Sequence, residues 1–262
     1  MRAGGTLPLT PMGASRALPR RWISSDAAVG AIFAVTFAVA AFLIVTPLAS
    51  LLYGSFRTGG PGTHADYTLK NWLDLIGSGV INTLLTTCTI AVLTAVLCTA
   101  CGGLMAWLIY RTDFRYKRLL VASVGLSFFF PGFILAMAWV ILASPGGVFN
   151  DMLTDLLGIE SFQFDIYSAT GIVWIQVLHI TPFAFFTLRG PLLSMDSSLE
   201  EAAYASGANP WTVARRVTLP LMLFPLLSSL LLCFVLSVEQ FAIPALVGIP
   251  GHVNVLATEL LA

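Results

Sequence analysis

Residues 80–110 read VINTLLTTCTIAVLTAVLCTACGGLMAWLIY and contain no Asp, Glu, Lys or Arg. About 20 apolar residues in a helix cross a bilayer core of about 30 Å, so this stretch is long enough to span a membrane. Outward from it along the chain, four more apolar stretches reach the same length: Ala27–Tyr53, Leu119–Ala143, Ala169–Leu188 and Leu221–Val247. The sequence therefore predicts an all-α, polytopic transmembrane helical bundle with about five spans.

The composition of the whole chain agrees with a membrane protein. Hydrophobic residues make up 57% of the 262 residues and charged residues only 10%, whereas a soluble domain has about 25% charged residues. Too few polar residues remain to cover the surface of a soluble fold of this length. Most of the surface is therefore expected to face lipid.

Basic residues are distributed unevenly between the predicted loops. Apart from Arg57 and Lys70, every Lys and Arg precedes the first span, joins the second to the third, or joins the fourth to the fifth. The loop after the third span has four acids and no Lys or Arg: Asp151, Asp155, Glu160 and Asp165. By the positive-inside rule, residues 1–26 form a cytoplasmic tail, the N-terminus is cytoplasmic, and five spans place the C-terminus outside.

Two further features predict irregular structure. Pro131 and Gly132 lie near the middle of the third span and predict a kink or a break there. In the outer loop 54–79, apolar residues recur at helical spacing between Leu69 and Ile76, which predicts a short helix at the membrane surface.

The predicted cytoplasmic loop 190–220 is longer than a turn between helices requires. Two overlapping capping boxes, each a Ser followed three residues later by a Glu, predict the start of a helix within it. They pair Ser197 with Glu200 and Ser198 with Glu201. Gly207 lies where a left-handed glycine ends a helix, and Asn209 with Pro210 fits the start of a second one. The loop thus predicts a helix, a sharp turn and another helix.

The same loop resembles a known motif. Glu201-Ala202-Ala203, Gly207 after three more residues, and Val217-x-Leu219-Pro220 resemble the cytoplasmic EAA loop of the permeases of type I ATP-binding cassette (ABC) importers, in which Ile stands in place of Val217. The resemblance implies that the loop lies in a groove of an ABC ATPase subunit on the cytoplasmic side and couples that subunit to the spans. The predicted coupling residues are Glu200, Glu201, Ala202, Ala203, Gly207, Pro210, Leu219 and Pro220.

A physical reason supports this interpretation independently. Small side chains at Ala202, Ala203 and Ala205 permit close approach to another protein, and Glu201 offers a charge to a basic partner or to the helix N-terminus. The alternative is an ordinary helical hairpin at the surface.

The C-terminal stretch indicates which group of permeases the chain resembles. Residues 237–250, together with residues 253–255 and Thr258, resemble the ferric-iron permease group, with thiamine permeases close by. Permeases of that group are often two fused homologous halves, each with an EAA loop. Because one EAA loop is present and the chain stops where a sixth span would begin, residues 27–262 are predicted to be the first half of a two-half permease, or a truncated reading frame.

The resemblance also implies partners and a location. We expect a separate ABC ATPase, an extracytoplasmic solute-binding protein, a second permease half (fused or separate) and the lipid bilayer of a bacterial cytoplasmic (inner) membrane, and no nucleic acid. Ferric iron is the expected substrate, with thiamine, polyamines or another small solute as alternatives.

Polar residues within the spans are candidates for the translocation path. Glu239 is the only acid in a predicted span, and charges at membrane depth are costly enough to indicate function. Counted from the outer span ends at 1.5 Å per residue, Glu239 and Gln176 lie about 12 Å and about 10 Å deep. We expect Glu239, Gln240 and Gln176 to face the path; the alternative is a hydrogen bond between packed helices. His179 is expected to be a neutral, hydrogen-bonded core residue; the alternative is a substrate ligand.

No pattern predicts catalysis, a metal site or a cofactor. Lys70 and Lys117 are the only lysines, and neither lies in a phosphate-binding Gly-x-x-x-x-Gly-Lys-Ser/Thr loop, so ATP hydrolysis is assigned to a partner. The Cys98-x-x-Cys101 pair lies in an apolar span and is interpreted as packing. An intramembrane enzyme or an ATP-independent channel remains the alternative from another class, although no hydrolase or metalloprotease motif is present.

Overall fold

The computed structural model describes residues 26–58, 66–77, 79–157 and 164–259. The predicted tail therefore lies outside the described residues except for Asp26, and Glu160 lies outside them as well. The helices are α1 (Asp26–Ser55), α2 (Lys70–Gly77), α3 (Val80–Arg111), α4 (Lys117–Phe128), α5 (Gly132–Ala143), α6 (Val148–Leu157), α7 (Ala169–Ser194), α8 (Ser198–Ala205), α9 (Pro210–Val213), a π-helical turn (Ala214–Thr218), α10 (Leu219–Leu221), α11 (Leu223–Glu239), α12 (Ala242–Val247) and α13 (Leu256–Glu259). The described part of the chain has no strand beyond an isolated antiparallel bridge between Arg57 and Tyr67. The predicted all-α class is confirmed.

Three of the described helices, α1, α3 and α7, are individually long and apolar enough to cross a bilayer. Two bent pairs pass the same test only when each pair is taken together. They are α4 with α5, bent by 104°, and residues 210–221 with α11, bent by 70°. The described chain thus has three spans, or the predicted five if each bent pair counts as one.

The chain divides after Asp74 into two compact units. In the first unit, Asn71 Nδ2 donates hydrogen bonds to the carbonyl oxygens of Ser55, at 3.1 Å, and Arg57, at 2.9 Å. The rings of Phe56 and Trp72 lie 5.9 Å apart. These contacts hold the start of α2 against the end of α1, and α2 confirms the predicted short helix.

The second unit is built on α3, α7 and α11, which pack against one another. Their middle layer consists of small and branched residues: Ala95, Cys98, Ile180, Ala184 and Cys233. A Cβ atom at Gly102 would lie 2.7 Å from Ala184 Cβ, so α3 and α7 approach more closely there than any larger residue allows. Cys98 and Cys233 are buried free thiols in this layer, as expected of packing residues.

The third predicted span is broken where Pro131 and Gly132 predict it. Helix α4 ends at Phe128, and Pro131, with φ −61° and ψ 135°, caps α5 in an extended conformation. The bend is a turn of slightly more than a right angle rather than a mild kink, since the two helices differ by 104°.

The predicted continuous span Leu221–Val247 is wrong. Helix α11 ends at Glu239, and Gln240 is extended, with ψ 117°. The physical cause lies in Pro244, which has no N–H to donate to the carbonyl of Gln240 and whose ring clashes with that carbonyl. The depth of Glu239 counted along an unbroken helix from Val247 is wrong for the same reason.

Candidate functional site

The loop after α7 folds as the helix, turn and helix that the sequence predicts. Gly207 has φ +83°, its N–H donates to Tyr204 O at 2.9 Å, and Ala208 N donates to Ala203 O at 3.1 Å. Asn209 Oδ1 accepts a hydrogen bond from Thr212 N at 2.8 Å and caps α9, with Pro210 in its first turn. The turn and the second cap are confirmed.

The predicted capping boxes are wrong. Ser197 has helical backbone angles and its side chain makes no capping hydrogen bond. Asp196 performs this function instead, because its Oδ1 accepts a hydrogen bond from Ser198 N at 2.9 Å. That bond from a backbone N–H holds the pKa of the Asp196 carboxyl below its ordinary value. Glu200 is unavailable for a box because its carboxylate turns inward.

Glu200 is the buried residue of α8. Its Oε2 lies 3.1 Å from Arg111 Nη1, and its Oε1 accepts a hydrogen bond from Thr218 Oγ1 at 2.5 Å. The second guanidinium nitrogen of Arg111 donates to Leu192 O at 2.6 Å and to Met195 O at 3.0 Å. Sequence reasoning missed Arg111 and Thr218, because they lie far from Glu200 in the chain and follow no local spacing.

The other predicted coupling residues face outward or lie near the surface. Glu201, Ala202, Gly207, Pro210, Leu219 and Pro220 are exposed and Ala203 is half-buried. Two aromatic side chains share this surface, Tyr204 with 46% and Trp211 with 74% of its area exposed. The hairpin therefore presents small residues, one carboxylate and two aromatic rings to its surroundings.

A second candidate site lies where both helix breaks meet. A cavity of about 320 Å³ is lined by His179, Ile180, Phe183, Leu236, Glu239 and Gln240. A Cβ atom at Gly132 would lie 3.2 Å from His179 Nε2 and 3.4 Å from Gln240 Nε2. The start of α5, the middle of α7 and the end of α11 thus surround one polar cavity.

Gln176 does not line this cavity. It is 1% exposed, and its Oε1 accepts hydrogen bonds from Thr94 Oγ1 at 3.1 Å and Ser237 Oγ at 2.6 Å. His179 does line the cavity, and its buried Nδ1 has no hydrogen-bond partner among the described residues. The hydrogen bond expected for His179 is therefore not found. No group of three or more His, Cys, Asp or Glu suited to a metal occurs in the described ranges.

Both candidate sites lie in the part of the chain that matches a known protein family. Residues 98–261 match the family model described as binding-protein-dependent transport system inner membrane component. The putative 2-aminoethylphosphonate transport system permease protein PhnU of Salmonella typhi is 27% identical over 213 residues, which cover 80% of this chain and 72% of that protein. The ferric transport system permease protein FbpB of Actinobacillus pleuropneumoniae is 23% identical over 222 residues, which cover 84% of this chain but 31% of that protein.

A solved structure shares the fold. A chain in the crystal structure of a bacterial alginate ABC transporter, in complex with an alginate pentasaccharide-bound periplasmic protein, superposes with a TM-score of 0.72 at 19% identity. The superposition covers 90% of this chain and 82% of that one. At this identity the likeness shows the fold alone.

Proposed function

This chain belongs to the family of binding-protein-dependent transport system inner membrane components, the permeases of type I ABC importers, and we propose that loop 190–220 couples it to a separate ATPase. The observation that carries the proposal is the exposed hairpin anchored beneath by Glu200. Small side chains at Ala202 and Ala203 suit a helix that lies in a groove of another protein. Glu201 points away from the core and offers a carboxylate to a basic residue of that partner.

The cavity at the two helix breaks supports a translocation path. Irregular backbone at membrane depth is tolerated where it is buried in protein or lines a water-filled cavity. Gln240 is the irregular residue after α11, and Glu239 precedes it on the cavity wall. We assign Glu239 and Gln240 to the path, and the same cavity adds His179. The hydrogen bonds of Gln176 favour the alternative role for that residue, which is to hold helices together.

A path of this kind requires partners. The family description includes a binding protein, and the alginate transporter was solved in complex with an alginate pentasaccharide-bound periplasmic protein. We propose an extracytoplasmic solute-binding protein, a cytoplasmic ABC ATPase and a second permease half, fused or separate, as the partners of this chain.

For the substrate we propose ferric iron, on the resemblance of residues 237–250 and the match to FbpB. A second candidate is 2-aminoethylphosphonate, since the match to PhnU covers 72% of that protein. 2-Aminoethylphosphonate is a zwitterion with an ammonium and an anionic phosphonate group, whereas ferric iron is a cation, which a carboxylate such as Glu239 attracts at membrane depth. Thiamine and polyamines are also cationic and belong in the same test.

Reconstitution in liposomes tests the function. The chain is combined with its second half, the ATPase and the binding protein, and uptake of labelled ferric iron, 2-aminoethylphosphonate, thiamine and a polyamine is measured with and without ATP. We expect uptake of one solute that requires both ATP and the binding protein. Uptake that continues without ATP would identify a channel instead.

A matched pair of charge reversals tests the coupling surface. Glu201→Lys should abolish ATPase stimulation by the loaded binding protein, because a basic groove repels the new charge. Asp113→Lys makes the same charge change at another exposed acid on the predicted cytoplasmic side and should retain stimulation. If both variants lost stimulation equally, the loss would reflect the change in surface charge and not a specific contact of Glu201.

A further inference from the structure

One ion pair joins the predicted coupling helix to the membrane core. Arg111 is the last residue of α3, and its guanidinium contacts the Glu200 carboxylate of α8 at 3.1 Å. The two side chains are 9% and 12% exposed, so water screens the pair little. Among the described residues of α8, Glu200 is the one whose side chain is buried.

Arg111 also holds the end of α7. The carbonyl groups in the last turn of a helix have no partner within it, and a cation there is favoured by the helix dipole. Arg111 Nη2 donates to one such carbonyl, that of Leu192, and to the carbonyl of Met195, the extended residue that follows α7. One guanidinium therefore connects α3, α7 and α8.

The remaining oxygen of Glu200 reaches the segment that precedes the third core helix, α11, and that is bent by 70° from it. Thr218, which donates to it, is buried and closes the π-helical turn that leads through α10 into α11. Such π-helical turns inside helices occur frequently at functional sites. The carboxylate of Glu200 is thus shared between the end of α3 and the segment before α11.

We propose that Arg111, Glu200 and Thr218 form a clamp through which movement of α8 reaches all three core helices together. The inference rests on the proposed coupling role of the loop and goes beyond it, because these residues face inward and act on the spans rather than on the ATPase. The exposed face of α8 carries the ATPase contact, and the clamp positions the helix against α3, α7 and α11. Without it, α8 moves while the core helices stay in place.

The test uses the complete reconstituted transporter and begins with two matched substitutions of Thr218. Thr218→Val preserves shape but removes the hydroxyl donor, whereas Thr218→Ser keeps it. Thr112→Val is the control, since Thr112 follows Arg111 and its hydroxyl donates to Leu108 O of α3 at 2.5 Å. Glu200→Gln and Arg111→Lys then weaken the ion pair itself, the latter because Lys lacks the planar fork.

The readout is solute transported per ATP hydrolysed, together with retention of the ATPase subunit during purification. Thr218→Val, Glu200→Gln and Arg111→Lys should retain the ATPase subunit but lower transport per ATP about fivefold or more, while Thr218→Ser and Thr112→Val behave as the unaltered protein. Unchanged transport per ATP in the first three variants would overturn the clamp, and so would loss of the ATPase subunit, which indicates docking. If the unaltered transporter itself shows no ATP-dependent uptake, the proposed function fails first.

Discussion

Ser237 of α11 donates a hydrogen bond of 2.6 Å to the side-chain oxygen of Gln176 in α7. Thr94 of α3 donates to the same oxygen at 3.1 Å. One buried amide thus joins the three core helices at membrane depth, where no water competes for the hydrogen bonds. This geometry favours a structural function for Gln176 rather than a direct contact with a transported solute.

Gln176→Leu should lower the stability of the protein by about 1 kcal/mol, because interhelical hydrogen bonds in membranes contribute modestly. The measurement is thermal unfolding in detergent micelles. A triple variant that adds Thr94→Val and Ser237→Ala should recover part of the loss, since no hydroxyl then lacks its acceptor. A single variant as stable as the unaltered protein would contradict the structural function.

Two adjacent glycines of α3 provide a second test of the core. A Cβ atom at Gly102 meets Ala184 Cβ at 2.7 Å and the backbone nitrogen of Phe185 at 2.8 Å, whereas one at Gly103 meets Leu188 Cδ1 at 3.4 Å. Gly102→Ala should therefore destabilise the protein by about 1–3 kcal/mol through overpacking. Gly103→Ala should be tolerated, because its neighbour is the end of a flexible side chain. The comparison uses the same unfolding assay, and equal effects would show that α3 and α7 are less closely packed.

Local chemistry predicted the parts of this structure that depend on local sequence. Apolar length predicted α1, α3 and α7. Pro131 predicted the break before α5, and Gly207 with Asn209 predicted the turn and the second cap, because each of these features depends on backbone angles or hydrogen bonds within a few residues. The break at Gln240 was equally local and could have been predicted from Pro244. Hydropathy alone concealed it, since the residues on both sides are apolar.

The contacts of the buried polar residues could not be predicted in this way. Glu200 satisfies the local pattern of a capping box, yet its carboxylate accepts a hydrogen bond from Arg111, which is 89 residues away. Both bonds would be charge-assisted, but the guanidinium also carries a full positive charge that attracts the carboxylate, so the tertiary partner prevails. His179 reaches the polar cavity only because two broken helices meet beside it.

Gly207 tests the turn of the coupling loop. Its φ of +83° strains any L-residue, although a Cβ atom would meet nothing within 4 Å. Gly207→Ala should therefore cost about 1 kcal/mol through backbone strain alone, and Gly207→Asn less. Gly190→Ala is the matched control, because its Cβ also meets nothing within 4 Å and its φ is not positive. Thermal unfolding and retention of the ATPase subunit are measured, and equal stability of all three variants would show that the turn is not required.

Asp196 makes the start of α8 sensitive to acid. Its hydrogen bond with Ser198 N lowers the carboxyl pKa in the folded state, so the stabilisation is present above the unfolded pKa of about 4 and is lost as pH falls through the lowered value. Amide hydrogen exchange at α8, corrected for its intrinsic pH dependence, should therefore accelerate in acid. Asp196→Asn should remove most of this pH dependence. Acid-independent exchange in the unaltered protein would contradict the prediction.

Glu239 tests the proposed path most directly. It lines the cavity at the end of α11, and His179 and Gln240 are the other polar residues of the lining. Glu239→Gln keeps the size and removes the charge, so uptake of a cationic solute should fall about tenfold, which corresponds to about 1.4 kcal/mol. Binding of the solute to the binding protein should be unaffected.

The control for Glu239 is Asp74→Asn, which neutralises an exposed acid that does not line the cavity. Uptake should be retained in this variant, because Asp74 is not among the residues that line the cavity. If Glu239→Gln leaves both uptake and basal ATPase activity unchanged, Glu239 is not part of the path. An equal loss in both variants would instead indicate that surface charge steers the binding protein, since long-range attraction depends on the summed charge and not on the cavity.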